Sequence, residues 1–120
     1  MEEIEKKKNK LIIYRGDVVW AFNPFASGDI QKKGRPYVII SNNANNEHSN
    51  LLLGIPLTTK VKKPLPTHYK FYMNGKLNTL LAEQIVALDR ENITQYLYTL
   101  DDIDIQEMEK RVKIQLGIGE

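Results

Sequence analysis

The sequence predicts a mainly β domain, in which a compact antiparallel sheet is closed by one C-terminal α-helix. Three observations carry this prediction. Short apolar runs, rich in β-branched residues, recur along the chain and are separated by clusters of Gly, Pro and Asn, as strands are. Apolar residues take up helical spacing only near the C-terminus. The length of 120 residues, of which 42% are hydrophobic, suits a single domain with a sizeable core.

Residues 1–13 are expected to form a flexible, charged N-terminal extension, because lysines and glutamates alternate there without apolar periodicity until the last three positions. A single domain is expected over residues 14–120. No apolar run approaches the roughly 18 residues of a membrane span, and the N-terminus lacks the apolar segment of a signal peptide. We therefore expect a cytoplasmic protein without a membrane partner.

The first strand is predicted at Val18–Phe22, after the turn Arg15-Gly16-Asp17. Every second residue of this run is bulky, which is typical of a half-buried strand, and Trp20 is expected in the core or at an interface. Residues 25–34 have no periodicity, and they predict an exposed loop of about ten residues.

A long-looped hairpin is predicted next. Tyr37–Ile40 is a continuous apolar run, Ser41–Asn50 is turn-forming, and Leu51–Leu57 is a second apolar run. Because a proline cannot donate to the ladder, Pro56 predicts an edge or a bulge near the end of this second strand.

The following strands are predicted at Thr67–Tyr72 and Thr79–Leu88, with a turn at Asn74-Gly75 between them. Glu83 and Gln84 then lie within the longer strand, where we expect a satisfied polar pair that supports the site or a dimer. A short sixth strand is predicted at Tyr96–Thr99.

The C-terminal helix is predicted from one apolar stripe at helical spacing. Thr99-x-x-Asp102 resembles a capping box at its start, and Gly117 or Gly119 is expected to end it. The stripe consists of Ile105, Met108, Val112 and Leu116.

Composition and charge restrict the kinds of functional site that this chain can form. The absence of cysteine excludes disulfides, thiol nucleophiles and Cys-ligated zinc, and two histidines leave little for a metal site, so we expect no metal and no cofactor. Residues 15–76 hold nine Lys or Arg against three Asp or Glu, whereas residues 77–120 hold four against nine. This asymmetry indicates a surface that attracts polyanions.

The hairpin register brings together two residues that fit phosphodiester chemistry. Regular antiparallel pairing sets Arg35 opposite Thr58, and a bulge would substitute Thr59. A fork of N–H donors beside a hydroxyl suits the charge that grows on the non-bridging oxygens of a phosphate under attack. Arg35 is too basic to serve as a general base at neutral pH, and we expect it to act as a clamp.

Other candidate residues surround this pair. His68 is either a base or a packed side chain, and the residue pattern leaves both readings open. The lysines expected to position neighbouring phosphates are Lys32, Lys33, Lys60, Lys62 and Lys63. The aromatic residues expected to offer stacking faces are Phe25, Tyr37, Tyr69 and Tyr72.

Several blocks in order resemble the MazF/PemK family of toxins, over about residues 14–118. The blocks are Arg15-Gly16-Asp17-Val18-Val19-Trp20, Asn23-Pro24, Gly34-Arg35-Pro36-Tyr37-Val38-Ile39-Ile40-Ser41-Asn42, Ile55-Pro56-Leu57-Thr58-Thr59, Leu65-Pro66-Thr67-His68, Glu83-Gln84-Ile85 and Leu100-Asp101-Asp102. The resemblance implies an SH3-like antiparallel β-barrel with a C-terminal helix, of the type shared by CcdB, PemK and MazF.

The resemblance also implies a function. Members of the family are sequence-specific, metal-independent endoribonucleases that cleave single-stranded mRNA to 2′,3′-cyclic phosphate and 5′-hydroxyl ends. They act as homodimers in a toxin–antitoxin system and are inhibited by a cognate, MazE-like antitoxin. The family's catalytic arginine and threonine fall on Arg35 and Thr58. The RNA-contacting residues expected from loops and motifs are Ser27, Asp29, Lys32, Lys33, Thr59, Lys60, Lys62, Lys63, His68 and Gln84.

Two alternatives stay open at this stage. One is a non-catalytic RNA-binding module, in which Arg35 and Thr58 contact phosphates only. The other is a gyrase-poisoning toxin of the same fold, as the CcdB relatives are, which does not need this pair.

Overall fold

The computed structural model describes residues 11–24, 33–60 and 63–119. Within these ranges the chain forms seven strands and two α-helices, which confirms the predicted mainly β fold with a C-terminal helix. The elements are β1 (Asp17–Ala21), β2 (Arg35–Ile39), α1 (Asn43–His48), β3 (Leu51–Thr58), β4 (His68–Met73), β5 (Lys76–Leu81), β6 (Val86–Asp89), β7 (Ile93–Thr99) and α2 (Asp102–Leu116).

The strands form one curled antiparallel sheet in the order β4-β5-β3-β2-β1-β7, and β6 also pairs with β3. Both faces of the sheet are covered over most of its central strands β1, β2 and β3. On one face Val38, Ile55 and Leu57 pack with Met108 of α2, and on the other face Tyr37 packs in a second apolar cluster. Burial on both sides explains why these strands read as continuous apolar runs. None of the helices in the described part of the chain is long and apolar enough to span a bilayer.

The N-terminal boundary and the first strand differ from the prediction. Ile13 is buried in the second cluster and Leu11 packs against it, so the packed structure begins before residue 14. In β1 Val19 is as buried as Val18, whereas Trp20 is 39% exposed. Because the sheet is covered on both faces here, alternation of bulky residues does not identify the buried ones. Of the two positions expected for Trp20, the core is wrong, and the interface stays a prediction.

A short helix replaces part of the turn predicted over Ser41–Asn50. The Asn42 side chain caps α1 by accepting from the Asn45 backbone N–H at 2.8 Å. Asn46 is 1% exposed, and its side-chain amide donates to the Ser41 carbonyl at 2.8 Å. The guanidinium of Arg90, more than forty residues further along the chain, donates to the Asn46 carbonyl. This distant arginine stabilises a helix that the Asn-rich sequence alone does not favour.

The long strand predicted at Thr79–Leu88 is in fact two strands, separated by a 3₁₀ helix at Ala82–Gln84. The break lets β5 pair with Leu57 and Thr58 while β6 pairs with Leu51–Gly54, so that both occupy the same edge of β3. Pro56 lies between the two pairing segments, where its missing N–H costs no ladder hydrogen bond. At the place where an edge or a bulge was expected, β3 instead changes its neighbour inside the sheet, from β6 before Pro56 to β5 after it.

The ends of α2 are set by two different signals. Its N-cap is Asp101, which accepts from the Asp104 N–H at 2.8 Å, and the predicted cap Thr99 instead donates to Asp17 at 2.8 Å. Gly117 ends the helix in the left-handed conformation (φ 69°), as predicted. Leu116, expected on the buried stripe, is 58% exposed.

Candidate active site

The end of the β2–β3 hairpin holds Arg35 and Thr58 together. The structure pairs Tyr37 with Pro56, which confirms the predicted register, and two further residues along the ladder Arg35 lies opposite Thr58. Both side chains line a cleft of about 310 Å³. The described residues around this cleft are Trp20, Gly34, Arg35, Pro36, Leu57, Thr58, Thr59, Lys60 and Asn78.

The guanidinium of Arg35 is anchored by a carbonyl and keeps donors for a ligand. Its Nε and Nη2 donate to the Leu57 carbonyl at 3.3 and 2.8 Å. No carboxylate of the described residues forms a salt bridge with it. Burial lowers the pKa of Arg35 from its ordinary value, but arginine starts so high that the group stays charged at neutral pH. An oriented, partly desolvated cation without a counter-charge is suited to bind an oxyanion.

The hydroxyl of Thr58 is oriented by the loop that follows it. The Lys60 backbone N–H donates to Thr58 Oγ1 at 3.1 Å. Because this bond occupies an acceptor site of the hydroxyl, its own O–H remains available as a donor. Thr58 and Arg35 thus offer the cleft two kinds of donor from adjacent strands.

Trp20 forms a wall of the cleft, which the sequence did not predict. A Cβ at Gly34, where φ is +115°, would lie 2.5 Å from the indole Nε1 of Trp20. The glycine therefore allows the ring to pack against the backbone directly before Arg35. The feature that could have revealed this position of Trp20 is the pairing of β1 with β2, which sets Trp20 opposite Pro36. An exposed indole beside the cation is a surface on which a nucleobase can stack.

The loop residues predicted from charge fall into two groups. Thr59 and Lys60 line the cleft, whereas Lys33 and Lys63 are exposed but are not among its lining residues. The remaining predicted loop residues, namely Phe25, Ser27, Asp29, Lys32 and Lys62, lie outside the described residues.

His68 belongs to a separate polar cluster with Glu83. Its Nε2 lies 3.0 Å from Glu83 Oε2, and the Leu65 N–H donates to its Nδ1 at 3.3 Å. Nδ1 is therefore an acceptor, and a neutral imidazole donates from Nε2 to the carboxylate. Burial raises the pKa of Glu83, but hydrogen bonds from His68 and Thr67 outweigh it and bring the pKa below its usual value. Gln84 is half-buried beside this cluster, in the 3₁₀ helix rather than in a strand.

The aromatic residues predicted to stack on bases differ in how far their rings are exposed. Tyr37 is fully buried, and Tyr69 stacks on Phe71 and donates to Asp104 Oδ1 at 2.5 Å. Burial and the Asp104 hydrogen bond raise the pKa of Tyr69 to about 12. Tyr72, in contrast, is 69% exposed. Of the three described tyrosines predicted to stack, Tyr72 alone presents an open ring.

Comparison with known proteins identifies the family. Residues 14–116 match the model of the PemK-like, MazF-like toxin of type II toxin–antitoxin systems. This chain belongs to the PemK/MazF toxin family. Endoribonuclease MazF of Staphylococcus saprophyticus is 32% identical to it over 109 residues, in an alignment that covers 87% of this chain and 91% of that relative. The recognition made from the sequence blocks is thereby confirmed.

Solved structures of MazF proteins share the fold of this family member. MazF of Deinococcus radiodurans superposes with a TM-score of 0.77 at 23% identity, covering 90% of this chain and 99% of that one. A mycobacterial endoribonuclease in complex with its cognate antitoxin gives a TM-score of 0.75 at 20% identity, covering 90% and 98%. At these identities the likeness establishes the curled sheet with its C-terminal helix.

Proposed function

We propose that this MazF-family endoribonuclease cleaves single-stranded mRNA at short sequences without a metal ion. The 2′-hydroxyl gives up its proton to a base as its oxygen attacks the adjacent phosphorus, the bond to the 5′-oxygen breaks, and the departing 5′-oxygen takes up a proton. The products carry a 2′,3′-cyclic phosphate and a 5′-hydroxyl. The observation that carries the proposal is the pairing of Arg35, unopposed by any described carboxylate, with Thr58 in one cleft.

Each residue has a role that follows from its geometry. Arg35, held by the Leu57 carbonyl, directs its remaining N–H groups to the non-bridging oxygens and to the departing 5′-oxygen. Thr58 donates its hydroxyl to a non-bridging oxygen. These contacts strengthen as the phosphorus becomes pentacovalent and its oxygens gain charge, which is the condition for lowering the barrier. Thr59 and Lys60 contact the adjoining backbone from the cleft wall.

The proposal extends to the partners of this protein. The chain forms a homodimer in the cytoplasm and is inhibited by a MazE-like antitoxin that covers the cleft. Support comes from the solved relatives, which include a mycobacterial endoribonuclease in complex with its cognate antitoxin. The name of the 32% identical relative, an endoribonuclease, favours cleavage over a binding module or a gyrase poison.

Cleavage in excess EDTA tests the mechanism. The purified protein is expected to cut a long single-stranded RNA at a recurring short motif and to leave cyclic phosphate and 5′-hydroxyl ends. An oligonucleotide carrying that motif is expected to be cut, and its copy with one 2′-deoxy sugar at the cut position to stay intact, because the nucleophile is missing. Cleavage of the 2′-deoxy copy, or 3′-hydroxyl ends, would contradict attack by the 2′-oxygen.

A second prediction concerns Trp20, the single tryptophan of the chain. We expect titration with the 2′-deoxy oligonucleotide to quench its fluorescence, because a base stacks on the indole. Trp20→Ala is expected to weaken binding by about tenfold, and Trp20→Phe by much less, since a phenyl ring also stacks. Fluorescence that stays constant while anisotropy reports binding would place the RNA elsewhere.

A further inference from the structure

The outward face of the β4–β5 hairpin lies next to Thr58, one of the residues that line the cleft. Thr58 pairs with Thr79 of β5, and Thr79 pairs with Lys70 of β4. Directly opposed residues of an antiparallel sheet point to the same side, so these three side chains form a row across three neighbouring strands. With strands about 4.8 Å apart, the Cα of Lys70 lies about 10 Å from that of Thr58.

This outward face carries a cation that forms no salt bridge with a described residue, and an open aromatic ring. Lys70 is exposed, and the salt bridges found among the described residues do not include it. Tyr72 lies two residues further along β4, on the same face, and is 69% exposed. Its partner across the hairpin is Leu77, which is 41% exposed. Ring and leucine together form an apolar platform beside the ammonium group.

The surrounding charge indicates a polyanion as the occupant. Between Thr58 and Thr79 the sequence contains five lysines and no aspartate or glutamate. An acidic protein segment would also pair with the cations, but it would need a separate apolar residue to cover the ring and the leucine. A nucleotide uses both, because its phosphate pairs with lysine and its base stacks on an aromatic face.

We propose that Lys70, Tyr72 and Leu77 form an additional RNA subsite, which holds a nucleotide flanking the cut. Lys70 binds its phosphate, and Tyr72 with Leu77 supports its base. The inference rests on the proposed function, since it extends the RNA path from Arg35 and Thr58. It predicts that the enzyme gains affinity from RNA that reaches beyond the recognition motif on one side.

Oligonucleotides of two lengths test this subsite. One carries only the motif mapped with the wild type, and the others add three adenosines on the 5′ or the 3′ side. We expect the wild type to cleave one extended RNA with a kcat/KM about tenfold higher than that of the short one. Tyr72→Ala and Lys70→Ala are each expected to lose most of this gain, while cleavage of the short RNA stays within about twofold.

Conservative variants and salt separate the two roles. Tyr72→Phe keeps a stacking ring and Lys70→Arg keeps the charge, so both are expected to retain the gain. With the uncleavable 2′-deoxy form of the extended RNA, Lys70→Ala is expected to reduce the slope of log K against log salt by about 0.7, as loss of one phosphate contact does. Tyr72→Ala leaves that slope unchanged.

Two substitutions elsewhere on the surface serve as matched controls. Lys113→Ala on α2 and Tyr14→Ala before β1 remove a lysine and an exposed tyrosine elsewhere, and they are expected to preserve the gain. Equal effects on short and extended RNA, no effect at all, or a loss confined to antitoxin binding would overturn the subsite. If the wild type binds RNA but never cleaves it, the proposed function has failed, and no motif is mapped. The affinities of the wild type and of the two alanine variants for a shorter and a longer oligoadenosine then decide on the subsite.

Discussion

Arg35→Ala is expected to lower kcat for RNA cleavage by about 10²- to 10³-fold while the protein stays folded. In the proposed mechanism the guanidinium, which lines the cleft, faces the reacting phosphate, and no described carboxylate offsets its charge. The fold should persist because Arg35 is half-buried at the start of β2, and among the described residues its guanidinium hydrogen-bonds only to the Leu57 carbonyl. Single-turnover cleavage with saturating enzyme measures the effect on the chemical step.

Arg35→Lys tests whether the planar geometry of the guanidinium is needed in addition to its charge. A lysine keeps the charge but cannot hold the Leu57 carbonyl and two phosphate oxygens with one planar group, so we expect it to recover little of the rate. In cells, expression of the wild type without antitoxin is expected to arrest growth, whereas the Arg35→Ala variant should be harmless. An alanine variant with a kcat within threefold of the wild type would remove Arg35 from the mechanism.

Thr58→Val is expected to reduce kcat by a similar factor of about 10²–10³, because it replaces the donating hydroxyl with a methyl group of the same shape. Thr58→Ser keeps the donor and is expected to retain most activity. The comparison separates chemistry from packing, since valine fills the position as threonine does. Rates are measured as for Arg35, with an RNA cut at the mapped motif.

Binding of the uncleavable 2′-deoxy RNA distinguishes two explanations for a slow Thr58→Val variant. If the hydroxyl acts mainly in the transition state, the affinity changes by less than about threefold while kcat falls. A loss of affinity as large as the loss of rate would mean that the variant disturbs the loop held by the Lys60 N–H. The double variant with Arg35→Ala is expected to be less impaired than the product of the single effects, because both groups stabilise the same charge.

The elements that the sequence predicted correctly are those specified by neighbours along the chain. The pairing of Arg35 with Thr58 follows from one hairpin, whose apolar runs and register are visible locally. Gly117 ends α2 through its own backbone preference. Both predictions required only the periodicity of apolar residues, the backbone preferences of turn residues and the alternation of side chains along a strand.

The misplaced elements depend on partners far away in the chain. The Asn-rich segment becomes α1 because Arg90 binds the Asn46 carbonyl, and Thr99 fails as a cap because Asp17 takes its hydroxyl. The break at Ala82–Gln84 follows from the exchange of partners along β3. Local propensity is a weak preference, and such long-range contacts override it.

By itself, then, the sequence determined the mainly β class, the family and the pairing of Arg35 with Thr58, because their signals are local or lie in an ordered set of motifs. Only the tertiary structure decided what surrounds them. It exposed Trp20 beside Gly34, enclosed His68 with Glu83, and aligned Lys70 with Thr58. The physical reason is that these neighbours meet through strand pairing and packing between distant segments, which no local pattern encodes.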